Sequence, residues 1–179
     1  TESPLFTLAD YVKIFKDRLN AEYAKYNEAD YKGTYNKLTL AFDEDGDMIV
    51  TTETIDNYAA ITEFYNGYVK AIDRAKTQYE AGTMTFDEAI ATMQKAYADG
   101  VANFATVQTL LSVVKTNYKA GIEAYVKNLD SSLYTEENWA KIKTIESEGL
   151  KTLADCDNID GANGVYEVYD KVIADITDT

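Results

Sequence analysis

The chain has 179 residues, enough for one ordinary core or two small ones, and 46% hydrophobic against 27% charged residues mark a globular rather than a disordered protein. Seventeen Lys and Arg against thirty-one Asp and Glu leave a net charge of −14, which repels phosphate backbones and anionic lipid and argues against nucleic-acid and membrane-surface partners. The lack of histidine removes the commonest general base and metal ligand, and the lone Cys156 excludes an intrachain disulfide.

The first residues, Thr1-Glu2-Ser3-Pro4, read as a linker, which fits a mature form or a piece of something longer, and the chain is expected to be part of a longer multidomain protein. A helix opens at Thr7, with Asp10 completing a capping box, and shows Leu8, Tyr11, Val12, Phe15, Leu19, Tyr23 and Tyr26 on one face. Next come two β-prone runs, Leu38 to Phe42 and Met48 to Thr52, around Asp43-Glu44-Asp45-Gly46-Asp47. They predict a β-hairpin near 38–53, with Gly46 taking the left-handed position of the turn. Thr54 is the expected cap of a second helix through Ile61, Phe64, Tyr68, Ile72 and Tyr79, ending near Gly82.

From Thr85, whose capping box is closed by Glu88, apolar steps of three and four run without proline through Ile90, Met93, Tyr97, Phe104, Leu111, Val114, Tyr118, Ile122 and Leu129. This predicts one long helix over 85–130, in which Gly100 and Gly121 are weak points. Thr135 caps the next helix, with Tyr134 stapled on Trp139 and Ile142, Ile145, Leu150 and Leu153 along its face. After a loop through Cys156, Asp160 is the expected cap of a last helix that turns Val165, Val168, Tyr169, Val172 and Ile176 inward.

Two registers tie these elements into a repeat. Leu8, Phe15, Leu19 and Tyr23 fall on Leu111, Tyr118, Ile122 and Val126, with Val12 against Lys115 as the mismatch. Thr85, Ile90, Met93 and Tyr97 fall on Asp160, Val165, Val168 and Val172. The expected fold is all-α: tandem three-helix bundles sharing the long central helix, with the hairpin inserted in the first. The first unit spans 5–105 and the second 106–179.

Leu133-Tyr134-Thr135-Glu136-Glu137-Asn138-Trp139-Ala140-Lys141-Ile142, followed by Leu150, Leu153-Ala154-Asp155 and a short loop into a further helix, resembles the FIVAR module ("found in various architectures"). The likeness covers residues 107–177 closely and residues 8–104 loosely, with Tyr35 where Trp139 stands. Asn138 replaces the family's usual Ser, and Asp160 its loop Thr. The resemblance implies a three-helix module of large exported or cell-surface proteins of Gram-positive bacteria, itself not an enzyme and without shared ligand residues.

For chemistry, the acidic run places aspartates at 43, 45 and 47 like the start of a calcium loop, but Met48 stands where that loop needs Gly and Thr54 where it needs a bidentate Glu. A hairpin turn is the better reading, and no metal, cofactor or catalytic constellation is expected. Recognition of protein or glycan, if it occurs, is expected around the hairpin at Tyr31, Tyr35, Phe42 and Met48. Two function classes follow: a non-catalytic spacer or binding module of an extracellular or cell-surface protein, or a free-standing intracellular helical bundle that binds a protein partner.

Overall fold

A computed structural model of the chain describes residues 6–26, 29–45 and 47–177, with side chains described as far as Val168. The expected roles of Pro4 and Gly46, and the inward placement of Tyr169, Val172 and Ile176, lie outside the described residues. Within them stand six α-helices and one antiparallel two-stranded sheet. The chain divides into two compact units, Thr1–Gly33 with Asp56–Gln108, and Thr34–Ile55 with Thr109–Thr179.

The first unit packs α1 (Leu8–Ala24), α2 (Ala59–Glu80) and α3 (Phe86–Phe104) against one another in all three pairs. Thr7 with Asp10 and Thr85 with Glu88 form the expected capping boxes of α1 and α3. Helix α2 ends as expected, with Gly82 at φ 76° and the Ala81 N–H donating to the Thr77 carbonyl. Its start differs. Thr54 sits in a strand, and the helix begins at Ala59 after the Tyr58 N–H has bonded to the Asp56 carboxylate.

Leu19, Ile61, Ile72, Met93 and Phe104 are fully buried at the centre of this unit. Gly100 is buried too, and a β-carbon there would stand 2.7 Å from Leu19 Cδ1 and 3.3 Å from Tyr68 Cδ2. What the sequence suggests as a weak point is a contact that needs the missing side chain. The tyrosines ring the edge of the core: Tyr23 stacks on Tyr65 at 4.3 Å while its hydroxyl pairs with Thr62.

The expected helix over 85–130 is two helices. α3 stops at Phe104 and α4 (Leu110–Lys127) begins at Leu110. The apolar spacing does run through the gap, but local hydrogen bonds outcompete the helix there. The Thr106 hydroxyl donates to the Asn103 carbonyl, and Thr109 accepts from the Ser112 N–H as an N-cap. Asn57, buried, holds the segment open by donating from Nδ2 to the carbonyls of Tyr31 and Gln108.

The second unit contains the hairpin β1 (Thr34–Phe42) and β2 (Met48–Asp56) together with α4, α5 (Glu136–Asp155) and α6 (Ile159–Thr177). In sequence the hairpin interrupts the first unit; in the fold it packs with the second, through β1 on α4. The sequence alignment of repeats cannot reveal this, because it assigns an insertion to the unit whose residues flank it.

Leu110, Val114, Ile122, Val126, Ile142, Leu153 and Ala162 form the second core, with Tyr35 and Trp139 packed against it. Tyr134 and Trp139 lie 5.9 Å apart as the expected staple behind N-cap Thr135. The cap registers of the two units differ by one residue from the repeat alignment. Leu8 follows N-cap Thr7 and finds its buried counterpart in Leu110 after Thr109, not in Leu111. Lys115, the mismatch with Val12, donates to the Ala154 carbonyl at 2.8 Å and so caps the end of α5. In α6 the cap is Asn158, whose Oδ1 accepts from the Gly161 N–H at 2.7 Å, and not Asp160. Val168, expected inside, is 63% exposed.

Candidate functional site

Strand alternation fixes what β1 offers to α4. Asp43 closes on Asp47, Thr39 faces Thr51 and Asn36 faces Thr54 across the hairpin. The even-numbered residues of β1 therefore aim their backbone groups away from β2. Asn117 of α4 occupies that edge. Its Oδ1 accepts from the Leu38 N–H at 2.9 Å, and its Nδ2 donates to the Asn36 carbonyl at 2.8 Å. One carboxamide thus satisfies two strand groups that would otherwise stand open. One turn further along α4, Gly121 receives the Leu38 side chain: a β-carbon there would lie 2.9 Å from Leu38 Cδ1.

The latch leaves a cleft of about 450 Å³ walled by β1, α4 and α6. Leu38, Val114 and Ile159 are apolar surfaces of it, and Tyr35, Tyr118 and Tyr166 bring their rings to it. Tyr118 stacks on Tyr166 at 4.7 Å with planes 15° apart. The Tyr118 hydroxyl donates to Asn163 Oδ1 at 2.5 Å, so the Asn163 amide turns its Nδ2 away from that bond. Glu167 follows one turn later on the same face of α6. Burial, and then the nearby Glu167 carboxylate, push the Tyr118 pKa up, which keeps its proton on the donor. The lining includes one carboxylate and no Lys or Arg.

A second cleft in the same unit, of about 250 Å³, lies between the tip of the hairpin and the end of α4. Phe42 and Met48 line it with Tyr125, Leu129 and Tyr134. Asp43, in the acidic turn beside it, accepts from the Asp45 and Asp47 N–H groups through Oδ1. That carboxylate is a turn-former. Among the described residues no group of three or more His, Cys, Asp or Glu side chains could hold a metal ion.

Of the four residues singled out by sequence, Tyr35 lines the larger cleft, and Phe42 and Met48 the smaller. Tyr31 is not with them. It belongs to the first unit, edge-on to Tyr26 at 5.1 Å. Sequence reasoning missed Asn117, Tyr118, Asn163, Tyr166 and Glu167. A signal did exist for Asn117, a polar residue on the apolar stripe one turn from both Val114 and Gly121. A first-unit groove holds Lys13, Lys16 and Lys76, yet Lys13 is paired with Asp17 at 2.6 Å and Lys16 with Asp73 at 2.5 Å.

No helix among the described residues is long and apolar enough to cross a membrane. Comparison with known proteins finds no matching family model, no matching curated protein and no matching solved structure.

Proposed function

We propose that the chain is a non-catalytic helical module of a bacterial extracellular or cell-surface protein, and that it serves as a binding platform for protein or glycan rather than as a bare rigid spacer. The FIVAR-like run over residues 107–177 supports the exported setting. The platform rests on one observation, the Asn117 latch. A spacer needs three packed helices per unit and nothing more. Here an inserted hairpin is anchored to α4 by two hydrogen bonds and a glycine seat, and two clefts result. An insertion without a role has no need to be fixed in place, since loose additions to surface loops cost little.

Two measurements test this reading. The chain, immobilised, is exposed to purified Gram-positive wall polysaccharide and to extracellular-matrix proteins. Saturable binding to one of them, weakened in Phe42→Ser or Glu167→Gln at unchanged melting temperature, is the expected result. A chain that binds neither is a spacer. The native gene separates the settings: an export signal with further domains fits the surface module, and a free-standing reading frame of this length fits the intracellular alternative.

A further inference from the structure

We infer that the cleft walled by β1, α4 and α6 is a saccharide site, taking a neutral or amino sugar of one or two residues. This deepens the platform reading and rests on it, choosing glycan over protein as the ligand of this cleft. Four properties of the cleft carry the choice.

The first is size. About 450 Å³ falls within the roughly 300–1,000 Å³ of small-molecule sites. The second is the mixture of surfaces. A pyranose offers apolar C–H faces and a rim of hydroxyls, and the cleft sets tyrosine rings beside amide and carboxylate groups. The third is the pairing of Asn163 with Glu167. The Tyr118 hydroxyl holds Asn163 Oδ1, so what that amide presents is N–H donors. Glu167, one turn along, presents acceptors only. Neighbouring sugar hydroxyls both donate and accept, so they match a donor and an acceptor set side by side. The fourth is charge. A lining with a carboxylate and no Lys or Arg, in a chain of net charge −14, disfavours phosphorylated sugars and uronic acids. An amino sugar gains instead from Glu167.

The position of the latch adds to this. Asn117 and Asn36 line the same cleft whose wall they fix, so the hairpin strand is held in place before any ligand arrives.

The experiment is a two-dimensional amide NMR titration of the isotope-labelled full chain. The probes are cellobiose, N,N′-diacetylchitobiose, glucosamine and galacturonate, with an N-acetyl-lysine amide as a peptide-cation control. The expected result is dose-dependent, saturable shifts of the Asn163 side-chain amide and the Glu167 backbone amide with at least one uncharged or amino sugar. Galacturonate should bind at least tenfold more weakly. Glu167→Gln and Asn163→Ala should each weaken the sugar at least tenfold while the remaining spectrum is unchanged, which separates lost contact from lost fold. Equal binding of galacturonate overturns the inference, as does binding confined to the lysine amide, shifts centred on the Phe42 and Met48 cleft, or no shift with any sugar. In those cases saturable binding of a matrix protein to the immobilised chain would leave the platform reading standing.

Discussion

Asn117 of α4 accepts a hydrogen bond from the backbone N–H of Leu38 at 2.9 Å, and that contact belongs to a unit whose two partners lie far apart in sequence. The same amide returns a bond to the Asn36 carbonyl, so it reads the strand as a neighbouring strand would.

Asn117→Leu keeps the branching at Cγ, with a somewhat larger side chain, and removes both bonds. Loss of partners for two strand groups is expected to cost the second unit about 1–3 kcal/mol. Asn117→Asp keeps the acceptor for Leu38 but turns a carboxylate oxygen toward the Asn36 carbonyl, so it should spare the Leu38 amide while still destabilising the latch. Amide hydrogen exchange is the appropriate readout. The Leu38 amide should exchange faster in Asn117→Leu, with the amides of α1 to α3 unchanged. Unaltered protection at Leu38 would show that the latch holds nothing.

Two glycines of the first unit should respond to alanine in opposite directions. Gly67 lies in α2 with nothing within 4 Å of an added β-carbon, so Gly67→Ala should stabilise by about 0.5–1 kcal/mol through helix propensity. Gly100 gains the same propensity but meets the fully buried Leu19 at 2.7 Å, and overpacking costs about 1–3 kcal/mol. Gly100→Ala should therefore destabilise, by up to about 2 kcal/mol once the propensity gain is subtracted. Chemical denaturation of both variants checks the sign. A stabilised Gly100→Ala would mean that α1 and α3 are not in close contact there.

Those glycines show what the sequence could and could not disclose. Caps at Thr7, Thr85 and Thr135 and the staple of Tyr134 on Trp139 are local, so residue types a few positions apart specify them. Hairpin existence is local too, although its strands extend to Thr34 and Asp56 beyond the expected 38–53. The break before Thr109 was hidden because apolar periodicity reports which face is buried and not whether the backbone continues. Its own marker, a threonine three residues before Ser112, stood inside that periodicity. Tyr35, Phe42 and Met48 were legible as hairpin flanks, whereas Asn163 and Glu167 look like any solvent-facing helix residues. Only the fold of β1 onto α4 gives those two a cleft to face.

Alkaline pH should weaken the second unit through Tyr118. Its pKa is raised in the folded state by burial and by Glu167, and an unfolded tyrosine titrates at about 10. The folded form holds the proton more tightly than the unfolded one. Stability is therefore fully present below about pH 10 and is lost as pH rises through the folded pKa. Tyr118→Phe cannot ionise, so its α4 and α6 amides should keep more of their exchange protection as the solution is made alkaline. Wild type and variant losing protection in parallel would exclude Tyr118 as the titrating group.

The last prediction concerns Asn57, a buried polar residue of the first unit. Its backbone N–H donates to the Gly33 carbonyl, and its Nδ2 donates to Tyr31 and Gln108 at 2.9 and 3.0 Å. The two side-chain bonds hold together segments that come before the hairpin and after α3. Asn57→Ala leaves two carbonyls without this donor and opens a small void, at an expected cost of about 1–3 kcal/mol. Asn57→Asp presents acceptors to the same carbonyls and should cost more than Ala, because repulsion is added to the lost bonds. Thr109→Ala is the comparison: it removes the α4 cap, costs about 1 kcal/mol, and leaves every Asn57 bond in place. If Asn57 is the pin, its variants should speed amide exchange in α3 near Phe104, and Thr109→Ala should speed it in the first turn of α4 instead. Should Asn57→Ala melt like the wild type, the open segment between α3 and α4 is held by Thr106 and Thr109 alone.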